Sequence, residues 1–69
     1  MKISARNIIK GKVKKVTHGA VNSEITMVLP GGAEIVSVIT KSSAKKLGLA
    51  KGKVAYAIIK ASNVMIAVD

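Results

Sequence analysis

Three short stretches of this chain concentrate hydrogen-bond donors and hold no acid: Ser4-Ala5-Arg6-Asn7, Thr40-Lys41-Ser42-Ser43 and Lys60-Ala61-Ser62-Asn63. The first offers a hydroxyl, backbone amides and a forked guanidinium. The second offers hydroxyls at the start of a predicted short helix, where free amides and the helix dipole favour negative charge. The third offers an ammonium, a hydroxyl and the amides of a strand-to-strand bend. A fully deprotonated tetrahedral oxyanion accepts hydrogen bonds and donates none. Its site therefore wants N–H and O–H donors, one or two cations and no carboxylate. Taken singly, each stretch is also what an ordinary terminus, helix cap or strand end looks like. Only their convergence would make a site.

Catalytic chemistry finds little to work with. The three acids, Glu24, Glu34 and Asp69, lie on separate segments, and there is no Cys. One His and three scattered carboxylates do not build an ordinary metal centre. His18 falls in a predicted turn, Thr17-His18-Gly19-Ala20, with no acid near it to orient it as a base, and it reads as a turn residue. Gly31-Gly32 follows Pro30 in a predicted hairpin rather than preceding a Lys-Ser/Thr helix, so it is no phosphate loop of the Walker type. The chain reads as a binding protein and not an enzyme.

Charge names the kind of partner. Twelve Lys and Arg against three acids give a net charge of +9. That balance fits nucleic acid, an anionic membrane surface, a small oxyanion, or a merely solvated surface. The alternative to an oxyanion binder is a basic OB-like module for single-stranded nucleic acid. Such modules stack bases on aromatic side chains. Tyr56 is the one aromatic, and its mid-strand place among Ala and Val suits packing better. No apolar run approaches the roughly 20 residues of a membrane span. The start, Met1 to Arg6, has no apolar signal region after its charge, so a cytoplasmic protein with no membrane partner is expected.

The elements that must position these donors can be read from alternation and turn residues. Sixty-nine residues make one domain, 1–69. A chain so short buries only about 60% of its unfolded surface, and without disulfides or a metal it needs support from oligomerisation. From Asn7 to Val16, Ile9, Gly11 and Val13 alternate with Lys10, Lys12 and Lys14, a strand with one wet side, and the phase breaks at Lys14-Lys15-Val16, which suggests a bulge. A second strand is expected from Val21 to Leu29, then a Pro30-Gly31-Gly32 turn, then a third strand from Glu34 to Thr40. Ser42 to Gly48 reads as a short helix with Gly48 as its stop. After a Lys51-Gly52-Lys53 turn, Val54–Lys60 and Asn63–Val68 are expected as strands four and five. The fold class is all-β: a five-stranded OB-like barrel with one short helix between strands 3 and 4.

Three segments then run together over the whole chain. The opening Met1-Lys2-Ile3-Ser4-Ala5-Arg6-Asn7 leads to Lys10-Gly11-Lys12-Val13. The strand end Val38-Ile39-Thr40 leads to Ser43 and Leu47-Gly48-Leu49. Gly52-Lys53 continues through Ala55-Tyr56-Ala57-Ile58-Ile59-Lys60-Ala61-Ser62 to Val64-Met65. In that combination the sequence resembles the molbindins, small cytoplasmic molybdate-binding proteins of Mop/TOBE type. The resemblance implies an OB-like barrel assembled into a homohexamer, a trimer of dimers, that stores molybdate or tungstate and carries no organic cofactor. It implies one oxyanion site between copies, in which Ser4, Ala5 and Arg6 of one chain face Thr40, Ser43, Lys60 and Ala61 of a neighbour, with Ser62 close by. It also implies a second site on a threefold axis, made mostly of backbone groups, for which the turn His18-Gly19-Ala20-Val21 is the candidate. The lysines at 10, 12, 14, 15, 41, 45, 46, 51 and 53 exceed what such a site requires.

Overall fold

The alternation of Ile9, Gly11 and Val13 with Lys10, Lys12 and Lys14 produces one long strand, β1 (Asn7–His18), in the computed structural model, which describes residues 1–69. Val13 is 2% exposed, while the three lysines point to solvent. β2 (Asn22–Val28) and β3 (Glu34–Thr40) follow, then a short helix, α1 (Lys41–Lys46), and β4 (Val54–Ile59). The sheet has the order β3-β2-β1-β4, with every pair antiparallel. β1 is long because it serves two partners. Asn7 to Lys12 pair with β4, and Lys12 to His18 pair with β2.

The hand-over between partners explains two sequence features. At Gly11 a Cβ would sit 2.5 Å from the carbonyl oxygen of Val28, so a side chain there would hold β1 and β2 apart. The register shifts between Val13 and Lys15, the bulge expected from the broken alternation, and such an extra residue bends a strand. Together they curl the four strands into a half-barrel around Val13, Ile25, Met27 and Ala44. Val16, Ile35, Ile39, Leu49, Ala55 and Ala57 pack against that nucleus. Gly31 and Gly32 take φ of 89° and 94°, which a side chain resists, and they close the β2–β3 hairpin.

The helix is bounded at both ends by side chains the sequence supplies. Thr40 caps it, accepting a 3.1 Å hydrogen bond from the Ser43 amide. Gly48, at φ 64°, follows its end, and the Lys53 ammonium donates to the Leu47 and Gly48 carbonyls at 2.7 and 3.3 Å. The helix begins at Lys41, one residue ahead of the expected Ser42, and ends at Lys46. None of the chain's helices is long and apolar enough to cross a membrane.

Three expectations are corrected. Thr17 and His18 belong to β1 rather than to a turn, because His18 pairs with Ser23 across the ladder and shares a 2.6 Å hydrogen bond with its hydroxyl. Tyr56 does not pack inside. Ala55 and Ala57 take inward positions of β4, and Tyr56 stands outward, 50% exposed. The fifth strand does not form within the chain: Ala61–Asn63 make a 3₁₀ turn, and beyond it the tail pairs with nothing. Met65, Ile66 and Val68 are 92%, 86% and 92% exposed. Apolar alternation predicted a strand there, but no strand of this chain pairs with it.

The isolated fold is consequently under-buried. Its surface is 5499 Å², against about 4,100 Å² for a folded monomer of this mass. Its radius of gyration is 12.7 Å, against roughly 11 Å for a compact chain of this length. Its tail is exposed, and the half-barrel is open at a cleft between the free edges of β3 and β4 lined by Ile35, Val36, Ser37, Tyr56, Ala57, Ile58 and Ile59.

Candidate functional site

The first donor-rich stretch lies just before β1 and the third just after β4. Asn7 pairs with Ile59 at the end of that ladder, and the Asn7 side-chain amide donates to the Ile59 carbonyl at 3.2 Å. Antiparallel pairing therefore brings the flanking residues together. Ile3, Ser4, Ala5, Arg6, Lys60, Ala61 and Ser62 line one open hollow of about 540 Å³. Two cations and two hydroxyls meet there without a carboxylate. None of the side chains of Ser4, Arg6, Lys60 and Ser62 makes a hydrogen bond within the chain. These groups are solvated donors, held in place by the ladder behind them and free to turn toward an acceptor.

The second stretch lies at the other end of β1. Thr40 ends β3 and pairs with Asn22, next to the His18–Ser23 pair. Its hydroxyl donates to the Ser43 hydroxyl at 2.7 Å and accepts from the Ser43 amide, so these two residues already form a fixed cap. The hollow beside it, about 490 Å³, is lined by Thr40, Lys41 and Ser42 with Ala20, Val21 and Lys45. Ser43, in the first turn of the helix, stands next to this hollow without lining it. Lys41 and Lys45, four residues apart on one helix face, are cations that reading the sequence left without a role; their spacing was the available signal.

The His18-Gly19-Ala20-Val21 turn divides between two hollows. Ala20 and Val21 border the Thr40 hollow, while His18 and Gly19 border another with Thr17, Asn22, Ser23, Glu24 and Val38. Part of the turn's backbone is committed inside the chain: the Gly19 amide donates to Asn22 at 2.7 Å, and the Val21 carbonyl accepts from the Lys41 amide at 2.7 Å. Glu24 puts an acid at the second of these hollows and none at the first.

One chain thus holds two acid-free donor clusters at opposite ends of its longest strand. Each hollow is several times larger than a tetrahedral oxyanion and is open on one side. Within one chain the first and third stretches lie together, whereas the resemblance put Lys60 and Ala61 beside Thr40 on a neighbouring copy; the second stretch stands apart.

The whole chain except its last residues and first two matches one family model, the TOBE domain, over residues 3–66. It is 46% identical to the probable molybdenum-pterin-binding protein of Haemophilus influenzae over 69 residues, covering 100% of each chain. The chain belongs to the Mop/TOBE molbindin family. Solved molbindins share its architecture. The molybdate-binding protein of Sporomusa ovata superposes with a TM-score of 0.92 at 35% identity, with 99% of this chain and 100% of that one covered. The cytoplasmic molybdate-binding protein ModG, solved with molybdate bound, superposes with a TM-score of 0.91 at 52% identity, with 94% of this chain and 46% of that longer one covered.

Proposed function

We propose that this molbindin binds molybdate or tungstate in the cytoplasm, without catalysis, at sites shared between copies, and so stores and buffers these oxyanions in the cell. The observation that carries the reading is the split of the donors into two half-open, acid-free clusters at opposite ends of β1. A second copy that brings its Thr40–Ser43 end to the Ser4–Arg6 and Lys60–Ser62 end of the first closes a hollow too large for the ion. In that site Arg6 grips two oxygens in its plane, Lys60 acts as a point charge, the hydroxyls and amides of Ser4, Ala5, Ala61 and Ser62 take further lone pairs, and Thr40 holds the Ser43 hydroxyl, whose own proton is free to donate.

The under-buried fold supports the assembly. A surface excess of roughly 1,400 Å² over a self-sufficient monomer exceeds the roughly 800 Å² a partner buries in an ordinary stable interface. The apolar tail Val64–Val68 is exposed and unpaired, and the β3–β4 cleft leaves two strand edges free. Tails exchanged between two copies would complete both as five-stranded OB-like barrels, and a homohexamer built as a trimer of such dimers would complete the sites. The turn His18–Val21, placed where three copies meet, would then supply the second oxyanion site.

Selectivity follows from the donor set. Hydrogen phosphate keeps a proton and needs an acceptor, and a pocket without a carboxylate leaves that proton unpaired. Sulfate has no such handicap and must be rejected by cavity size. Molybdate and tungstate differ little in size and should compete nearly evenly. Relatives are named for molybdenum-pterin, but a pterin ring wants an aromatic face to stack on, and the one aromatic, Tyr56, borders neither donor cluster.

Thermal unfolding tests the reading. At a hundred times its Kd, molybdate should stabilise the protein by about 2.7 kcal/mol, and phosphate by much less. Arg6→Ala should lose that gain. An equal gain in the variant would remove Arg6 from the site.

A further inference from the structure

Three free lysines remain on β1 that the oxyanion reading does not use. Lys10, Lys12 and Lys14 occupy successive outward positions, and Lys15 follows across the bulge, opposite Thr26. Only Lys14 is neutralised, by Glu34 at 2.7 Å, which is the chain's one ion pair. Lys10, Lys12 and Lys15 make no hydrogen bond to the protein. Lys10 stands directly opposite Tyr56 on β4, so the half-exposed phenol ring and the ammonium share one face. Val54 and Ile58, the outward neighbours of Tyr56 on β4, are also partly exposed.

We propose that this face binds single-stranded nucleic acid, with the phosphates following Lys10, Lys12 and Lys15 and one base stacked on Tyr56. Alternate residues of a strand stand about 6.6 Å apart, close to the reach of one nucleotide in an extended strand. Lys10 and Lys12 stand at that spacing, and Lys15 follows three residues on, across the bulge, so a single backbone tracking the row turns with the strand. The aromatic adds what a bare basic patch lacks: a base face stacks on a ring whatever its sequence, and the apolar Val54 and Ile58 beside the ring favour unstacked bases. The row is distinct from both donor hollows, since none of Lys10, Lys12, Lys15 and Tyr56 lines either. Lys10, Lys12 and Lys15 lie outside the β3–β4 cleft, whereas Tyr56 and Ile58 border it, so a tail strand filling the cleft would pass beside the ring and leave the lysine row open. The inference stands whether or not the protein binds molybdate.

Fluorescence anisotropy of a short labelled oligothymidylate, titrated with the full-length protein over a range of salt, tests it. Three phosphate contacts predict a slope of log K against log salt near −2, using about 0.7 per contact for single strands. Lys10→Ser with Lys12→Ser should flatten the slope by about 1.4, and Tyr56→Leu should cost at least about fivefold in affinity with the slope unchanged. Circular dichroism and ligand-free melting identify variants that keep the fold. Where Tyr56→Leu unfolds, Tyr56→Phe, which keeps the ring, should bind as wild type. Excess molybdate at matched ionic strength should displace nothing. Wild-type binding by the double lysine variant, displacement by molybdate, tighter binding of a duplex of the same length, or stronger capture by phosphatidylserine vesicles than by the oligonucleotide would each overturn the proposal.

Discussion

At the His18 end of β1, Thr40 and Ser43 are bonded to each other and cap the helix between β3 and β4; at the Asn7 end, the side chains of Ser4, Arg6, Lys60 and Ser62 bond to nothing in their own chain. Both ends are rich in donors and poor in acid, yet only one is internally satisfied. The difference has a local cause. Thr40 sits at a strand-to-helix junction, where four amides lack partners and a hydroxyl is drawn into the cap. Ser4 to Arg6 and Lys60 to Ser62 flank a strand pair, where the ladder has already satisfied the backbone and leaves the side chains to solvent. The capped end is therefore rigid before any ligand arrives, and the other end must be ordered by what it binds or by a second copy.

The contrast can be broken most severely at the tail. Removing Met65 to Asp69 takes nothing from the core around Val13, Ile25 and Met27, because those residues are exposed in the single chain. If the tail completes another copy's barrel, its loss should turn the assembly into monomers and lower the melting temperature by more than 10 °C, which corresponds to roughly 2 kcal/mol in a domain of this size. Sedimentation and calorimetry would read both. An unchanged oligomer would place the tail outside the interface.

Thr40→Ala sharpens the contrast at intermediate size. Loss of the cap should cost about 1 kcal/mol in denaturant unfolding even with no oxyanion present. Ser4→Ala at the unsatisfied end should cost nothing measurable until molybdate is added. Equal costs for the two in ligand-free protein would erase the distinction drawn between the ends. Glu34→Gln should have the smallest effect. The Lys14–Glu34 pair is about half exposed on both sides, so its removal should change stability by less than about 1 kcal/mol.

How far the sequence could be read follows the same division. The β1 alternation, its bulge at Lys14, the Gly31-Gly32 hairpin and the β3 limits, Glu34 to Thr40, were all legible, because each depends on neighbours in the chain. The fate of Asn63 to Val68 was not, because apolar alternation specifies a strand without specifying its partner. Tyr56 was misjudged for a related reason. β4 places Ala55 and Ala57 inward and Val54, Tyr56 and Ile58 outward, a phase that side-chain size alone does not reveal. Of the donor stretches, the meeting of Ser4–Arg6 with Lys60–Ser62 in one chain follows from the Asn7–Ile59 pairing, which the strand limits alone did not specify. Lys41 and Lys45 beside Thr40 were not legible as site cations, because their shared face follows from the helix limits and not from the cap hydroxyls.

Mixing two defective variants would test the shared site most directly. Arg6→Ala damages the open end, and Ser43→Glu puts a carboxylate at the capped end in a position where Glu suits the helix start, so the fold should be kept. Each variant alone should take up no molybdate in a calorimetric titration. When they are unfolded and refolded together in equal amounts, random pairing of intact ends between copies should restore about a quarter of the wild-type sites. Zero restored sites from a well-folded mixed oligomer would mean that Arg6 and Ser43 do not meet across a contact between copies.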